Sequence, residues 1–251
     1  MIPPFNFSLY EFCVRYVDRF NGDNNSNSEE NGEYFFLRNE LSKLGDGVVF
    51  DVGANVGKWA SAVLNINPKV NLHCFEPCKT TYANLVLKNF PSNVQLNNFG
   101  LSDFEGELVL NVYDQASGLN SIYLRKGVET AMPVKTEQIS VSTIDLYCEK
   151  NRIQKIDLIK VDVEGHELAV FQGMKQMLDD RRINVIQFEY GGCNLDAKIY
   201  LEDIWNFIEP YGFYFFKLFP AGPRHIKRYQ QSLETFKYSN WVAIHVSHNS
   251  I

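Results

Sequence analysis

Apolar residues recur at helical spacing through Leu9, Phe12, Cys13, Tyr16, Val17 and Phe20, which predicts an amphipathic helix over about residues 5–20. Residues 21–31 are rich in Asn, Ser, Asp and Glu and carry no period, so they read as a mobile loop. A second helix is expected over about 33–44, and Gly45-Asp46-Gly47 leads from it into the run Val48-Val49-Phe50. From there short apolar runs alternate with helical segments, the pattern of a parallel sheet covered on both faces. Strands are predicted near 48–52, 71–75, 94–99, 155–161 and 183–189. Segments 107–113 and 134–141 alternate apolar and polar residues, which suits an added antiparallel ribbon. Further on, 201–208 reads as a helix, and 211–218 and 241–246 as aromatic, β-branched strands. No internal repeat is evident. The chain therefore divides into an N-terminal helical extension, 1–45, and an α/β domain, 46–251.

The first strand ends in an acid and breaks into Asp51-Val52-Gly53-Ala54-Asn55-Val56-Gly57, followed by the helical residues Trp59, Ala60, Ala62, Val63 and Leu64. A buried strand, a glycine turn and a helix make an entry site for a nucleotide cofactor. The second strand ends in His73-Cys74-Phe75-Glu76-Pro77, and Glu76 stands at about the spacing where an acid takes ribose hydroxyls. A dinucleotide needs glycine at the middle of the turn, so that backbone can approach the pyrophosphate, and is disfavoured by a carboxylate beside it. This chain has Asn55 and Asp51 there. S-adenosylmethionine (SAM) has no phosphate and carries a sulfonium and an ammonium against one carboxylate, so an acid-lined turn favours SAM over a nicotinamide or flavin cofactor.

Composition narrows the class without changing this picture. With 45% hydrophobic and 22% charged residues in 251, the chain can bury a full core as an ordinary globular protein. A net charge of -6 argues against broad nucleic-acid binding, which needs a basic surface to replace counterions. Cys13, Cys74, Cys78, Cys148 and Cys193 form an odd set without a zinc ligand pattern, as expected of thiols in a reducing cytosol. No signal peptide is recognisable and no stretch reaches the length of a membrane span, so a cytoplasmic location is expected.

The fourth core strand runs into Asp157-Leu158-Ile159-Lys160-Val161-Asp162-Val163-Glu164-Gly165-His166-Glu167. In open α/β sheets ligands gather beyond the carboxyl ends of the strands, so this cluster should face the same crevice as Asp51 and Glu76. Lys160 and Asp162, two apart, share a side of the strand. Glu164 and Glu167 have a simpler role open to them, as acids at the start of the next helix. Asp162 is the first candidate for the reacting crevice, as cofactor contact or base, followed by Glu164, His166 and Glu189. Asp162 and Glu189 could share a Mg²⁺ through oxygen ligands, but no third protein ligand is visible, so a metal-free site is expected. Arg224-His225-Ile226-Lys227-Arg228 is the only compact basic run, either a solvated loop or a reader of an acidic group at the pocket mouth. The aromatic stretch 211–219 divides between core and rings that could stack on a sugar.

Here the chain resembles the FkbM-type SAM-dependent methyltransferases. The resemblance rests on the Asp51–Gly57 turn with Glu76-Pro77 and on Lys160-Val-Asp-Val-Glu-Gly-His-Glu167. Gly100-Leu101-Ser102-Asp103, Ser117-Gly118-Leu119-Asn120-Ser121 and Phe188-Glu189 support it. It covers roughly residues 33–245. It implies a Rossmann-like class I methyltransferase fold, with a seven-stranded, mostly parallel sheet between helices, its last pair an antiparallel hairpin. It also implies O-methylation of a hydroxyl on a sugar, glycan or polyketide. Carried onto this chain, Gly53, Ala54, Asn55 and Gly57 would wrap the methionine part of SAM, Glu76 would bind the ribose diol, Leu101 and Ser102 would border the adenine, and Asp51 and Asp162 would complete the cofactor site. The expected partner is a small-molecule or glycan acceptor; a homo-oligomer remains compatible with the sequence. A lipid or polyketide hydroxyl is the rival acceptor if the insertion at 114–135 forms an apolar tunnel. A non-catalytic SAM-fold module is the rival outside enzymes.

Overall fold

A computed structural model describes residues 7–113, 118–126 and 135–248 of the chain. The call of an apolar tunnel at 114–135 lies largely outside these residues, as does Ser117 of the supporting motif.

Eleven strands and nine α-helices are formed in the order α1 (Phe7–Asn21), α2 (Glu33–Leu41), β1 (Val48–Val52), α3 (Lys58–Ile66), β2 (Asn71–Phe75), α4 (Lys79–Val86), β3 (Val94–Asn97), β4 (Gly100–Leu101), β5 (Gly106–Val112), β6 (Lys135–Ser142), α5 (Ile144–Asn151), β7 (Ile156–Val161), α6 (Glu167–Gln172), α7 (Lys175–Asp179), β8 (Ile183–Tyr190), α8 (Gly192–Ala197), α9 (Leu201–Ile208), β9 (Phe213–Phe219), β10 (Gly222–Ile226) and β11 (Ser239–His245), counted among the described residues. The main sheet has the order β10-β9-β11-β8-β7-β1-β2-β3, and a small second sheet the order β4-β6-β5. Strands β3, β2, β1, β7 and β8 are parallel, while β11 runs antiparallel between β8 and β9. This is the class I methyltransferase architecture.

The sheet has eight strands rather than the expected seven. The extra one is β10, which turns back from β9 at Gly222 and pairs with it from Gly222↔Phe219 to Ile226↔Phe215. The basic run Arg224–Arg228 therefore begins as a sheet edge, where charge discourages edge-to-edge pairing, and the Arg224 guanidinium stacks 4.0 Å over the Phe219 ring. The predicted third strand stops at Asn97, and Gly100–Leu101 joins the small sheet instead. Tyr211 lies in a short 3₁₀ turn ahead of β9.

Alternation along the strands fills a core on each face of the sheet. Phe50, Val52, Ile159, Val161, Ile186, Phe188, Trp241 and Ala243 pack on one face, and Val49, Leu158, Val185, Val242 and Ile244 on the other. The helix α9 buries Leu201, Ile204, Trp205 and Ile208, the i, i+3, i+4, i+7 stripe of an amphipathic helix, and Trp205 stacks on Phe215 at 4.0 Å. Each such side chain contributes roughly 1.5–3 kcal/mol by leaving water. On the opposite face α2 buries Phe36, Leu37 and Leu41 in the same cluster as Val49 and Val242. No helix of the described residues is long and apolar enough to cross a membrane.

Residues 21–31 are fixed rather than mobile. The Asn24 amide bonds the Tyr238 carbonyl, Asn31 Nδ2 bonds the Asn25 carbonyl, and Asp23, 3% exposed, pairs with Lys217 of β9, 8% exposed. A polar segment can be ordered in this way because its side chains replace the water its backbone would otherwise need. Removing one partner of a buried ion pair leaves an uncompensated charge, which costs about 3–5 kcal/mol. Asp23→Ala should therefore lower the stability by that amount in urea denaturation, and Asp23→Ala with Lys217→Met should recover part of it. A single variant as stable as the parent would show that the pair does not anchor the segment.

Candidate functional site

The turn after β1 is shaped by two backbone requirements. Gly53 has φ +85°, and a Cβ there would lie 1.8 Å from the Asp162 carbonyl oxygen, so no other residue fits between β1 and the end of β7. Asn55 takes the left-handed conformation at φ 48°, tolerated by Asn better than by most residues. The Gly53 and Ala54 amides bond the Phe75 carbonyl, and the Asn55 amide is bonded by Glu76 Oε2 at 2.9 Å. The other oxygen of Glu76 accepts from the Cys78 amide at 2.9 Å. Two backbone donors thus hold the Glu76 carboxylate at the cavity wall, each oxygen keeping a lone pair free.

A cavity of about 580 Å³ opens beyond the carboxyl ends of the strands. Asp51, Gly53, Ala54, Asn55, Glu76, Leu101, Asp162, Glu164, His166 and Glu189 all border it. Gly57 and Ser102 do not. Gly57, at φ 77°, begins α3 with its absent side chain against Leu85 and Phe90, and Ser102 is fully buried behind His166. Ser102 Oγ lies 2.9 Å from His166 Nε2 and donates to Asp103 Oδ1, while Tyr123 OH lies 3.5 Å from His166 Nδ1. The imidazole is held at both nitrogens, and burial lowers its pKa, which keeps it neutral.

Glu167 does not serve as a simple acid at a helix start. It is fully buried and folds back, Oε1 accepting from the Val163 and Gly165 amides at 3.2 and 3.1 Å and Oε2 from Asn194 at 3.0 Å. This staples the turn on which Glu164, at φ 54°, and Gly165, at φ 102°, take left-handed conformations. Ser121 Oγ donates to the Glu164 carbonyl at 2.7 Å, docking segment 118–126 on the same turn.

The charges are unevenly matched. Asp51 is completely buried and neither of its oxygens has a hydrogen-bond partner; the Ala60 amide approaches without reaching bonding geometry. Asn55 Oδ1 and Trp59 Nε1 are likewise buried without partners, and both residues border the cavity. Lys160 Nζ bonds Asp162 Oδ2 at 2.7 Å and stands 5.9 Å from the Trp59 ring centre. Burial alone would lower the Lys160 pKa, but Asp162, Glu33 and Asp51 hold it well above its usual value. Arg125 pairs with Glu164 and reaches Asp196 at 3.4 Å. Oxygens of Asp162, Glu164 and Glu189 lie within 4.8 Å of one another, so Glu164 supplies the third oxygen donor that the sequence did not reveal; Lys160 pairs with Asp162 and Arg125 with Glu164, while burial still raises the Glu164 carboxyl to about 8.

Sequence reasoning missed Arg125, Glu33, Tyr34, Tyr238 and Asn240, all of which border the cavity. They come from α2, the insertion and the start of β11 with the residue before it, and carry no motif. Trp59, two residues past Gly57, was legible as part of α3 but not as a wall residue. The aromatic residues 213–219 border no part of the cavity, and neither does the run 224–228. Of these aromatics, Phe213, Phe215, Phe216 and Phe219 are buried in the protein.

The orphaned groups define what the cavity can accept. Asp51 and Asn55 Oδ1 require donors and Trp59 Nε1 requires an acceptor, a set matched by an amino-acid group with its ammonium and carboxylate. Free lone pairs on Glu76 match a vicinal diol. SAM carries both groups, so the residues fit it.

Comparison with known proteins agrees. The methyltransferase FkbM domain matches residues 51–215. Methyltransferase 1 of Beauveria bassiana is 28% identical over 159 residues, 56% of this chain and 62% of that protein. Hexuronic acid methyltransferase AglP of Haloferax volcanii is 30% identical over 149 residues, 58% of this chain and 57% of that protein. 2-O-methyltransferase NoeI of Sinorhizobium fredii is 29% identical over 161 residues, 60% and 65% of the two chains. The chain thus spans less than two thirds of the length of these curated relatives.

Burial pushes the carboxyls of Asp51, Glu76 and Glu167 up to about 7 each. Their unfolded values lie near 4, so between about pH 4.5 and 7 the folded protein binds more protons than the unfolded chain and stability falls as pH rises. Thermal unfolding of the ligand-free protein should show a Tm several degrees lower at pH 7.5 than at pH 5.5. Asp51→Asn should flatten that slope, and a Tm that rises across the window would contradict the assignment.

Proposed function

Because the chain belongs to the FkbM methyltransferase family, we propose that it uses SAM to methylate a hydroxyl oxygen, and that the acceptor is a sugar or glycan. The observation that carries the cofactor half is the Glu76 carboxylate, fixed by the Asn55 and Cys78 amides beside a turn that excludes a side chain at position 53. Glu76 would hold the ribose diol, Asp51, Asn55 and Trp59 the amino-acid end, and Leu101 would border the adenine. When bound, SAM supplies an electrophilic methyl group on a sulfonium sulfur.

The chain's own task is placement. Holding an acceptor oxygen in line with the methyl carbon can supply about 7–11 kcal/mol of the barrier. Asp162 spans both halves, since it borders the cavity between the turn and the acid cluster. On the far side, Glu33, Glu164, Glu189 and Asn240 offer oxygens to hydroxyl donors, and Tyr34 and Tyr238 offer flat faces to sugar C–H groups. One relative is named for hexuronic acid, which supports a carbohydrate acceptor. The excess of carboxylates here favours neutral sugar hydroxyls over an anionic ring. We place the reaction in the cytosol, in keeping with Cys13, Cys74, Cys78, Cys148 and Cys193 as free thiols.

In calorimetry SAM and S-adenosylhomocysteine (SAH) should bind and NAD should not. Charge-assisted hydrogen bonds are worth about 1.5–3 kcal/mol each, so Glu76→Ala should weaken SAM at least tenfold. Absence of SAM binding would remove the cofactor assignment. With labelled SAM and a panel of neutral glycosides, uronates, nucleotide sugars and hydroxylated lipids, label is expected foremost in neutral sugars. Label confined to the lipids would overturn the acceptor class.

A further inference from the structure

The cavity holds three converging carboxylates and two cations that pair with them, which leaves one acid unmatched. Lys160 bonds Asp162, and Arg125 is shared between Glu164 and Asp196. The Glu189 side chain, near the end of β8, has no ion pair or hydrogen bond among the described residues, although an oxygen of it lies within 4.8 Å of oxygens of both neighbours. It borders the same cavity as the Gly53–Asn55 turn and Glu76. His166, the other candidate base, has both ring nitrogens engaged, by Ser102 and Tyr123.

We propose that Glu189 is the proton acceptor of the transfer and that its charge follows the charge on the cofactor sulfur, ionised beside the sulfonium and protonated beside the neutral thioether. This deepens the reading of the site given above and rests on it. As the acceptor oxygen forms its bond to the methyl carbon, the S–C bond breaks with its electron pair remaining on sulfur, and the hydroxyl proton passes to the Glu189 carboxylate. One positive charge leaves the sulfur and one negative charge leaves the glutamate, so the cavity keeps its net charge through the reaction.

The surroundings support this coupling. Burial, together with Asp162 and Glu164, pushes the Glu189 carboxyl well above its usual range; Lys160 opposes this and Glu167 adds to it. Cys193 of α8 and Tyr238 ahead of β11 also face it, and burial raises both well above their usual values, so they stay neutral. In the ligand-free protein, therefore, the surroundings favour the protonated form of Glu189. A cation entering the same cavity favours the ionised form and expels that proton to solvent. SAH brings the same ribose and amino-acid groups without the cation, so proton exchange that those groups drive at Asp51 or Glu76 is common to both ligands and cancels in their difference, and what the sulfonium drives away from Glu189 is read from Glu189→Gln.

The test is calorimetric titration of the full chain with SAM and with SAH, in buffers of different ionisation enthalpy. SAM should release on the order of one proton more than SAH, so the ratio of SAM to SAH affinity should rise by up to about tenfold per pH unit below the Glu189 titration. Glu189→Gln, checked for folding by its Tm, should abolish that difference while lowering kcat by roughly 10²–10⁴-fold. Glu189→Asp should restore the proton difference and leave kcat low, because the shorter side chain titrates but is displaced. Equal proton release by SAM and SAH in the parent protein, which requires no variant, would overturn the proposal and leave the SAM assignment standing. A difference that persists in Glu189→Gln, or turnover abolished by EDTA and restored by Mg²⁺, would overturn it too. Failure of SAM to bind at all would instead overturn the proposed function.

Discussion

A lysine ammonium buried in the middle of a sheet must be surrounded by opposite charge, and the organisation of this cavity follows from how Lys160 meets that demand. Lys160 is paired in register with Asp51 of β1 on one side and Gln187 of β8 on the other. Glu33 of α2 accepts from Gln187 at 2.7 Å, and Asp162 takes the ammonium directly. A polar row therefore crosses the otherwise apolar face that carries Val49, Leu158 and Val185. Leaving such a charge unpaired would cost several kcal/mol, so the row fixes β1, β7, β8 and α2 relative to one another. The same row leaves Asp51 without a hydrogen-bond partner at the start of the glycine turn. The cation that stabilises the sheet thereby also keeps an acid available to a ligand.

The second organising device is the folded-back carboxylate of Glu167. By bonding the Val163 and Gly165 amides it makes a tight turn out of residues that would otherwise continue from strand to helix. That turn aims Glu164 at Asp162 and Glu189, and it receives Ser121 and Arg125 from the small-sheet side. Contacts from the insertion thus complete the acid cluster. A residue far from the glycine turn in sequence thus pairs with Glu164, although burial still raises that carboxyl to about 8.

These arrangements give the two ends of the cavity different chemistry. Around the glycine turn, the partnerless side-chain atoms of Asp51, Asn55 and Trp59 match a ligand with both donors and acceptors. Beyond β7 and β8, carboxylates outnumber the cations that pair with them, so protons rather than anions are the natural currency of that end. Burial raises the carboxyls of Asp51 and Glu76 to about 7, and a cationic cofactor beside them would favour their ionised forms.

The sequence by itself determined what depends on local pattern and short spacing. The runs 48–52, 71–75 and 183–189, buried on both faces, could only be central strands, and the glycine turn between Asp51 and Gly57 could only sit at a strand end. Parallel strands in turn bring their carboxyl ends together, which is why the sequence alone places Asp51, Glu76, Asp162 and Glu189 at one crevice. Tertiary structure decided what depends on partners distant in sequence. Residues 21–31 look disordered because their apolar content is low, yet Asp23 finds Lys217 and Asn24 finds Tyr238. β10 was hidden because an edge strand of charged residues lacks the apolar run that marks a central one. The resemblance carries Ser102 over as a neighbour of the adenine, and packing turned it toward His166 instead. Which carboxylate is left unmatched was likewise undecidable from sequence. Lys160 lies two residues from Asp162, but Arg125 reaches Glu164 across 39 positions, and pairing over such a separation is set by how the chain folds rather than by its local order.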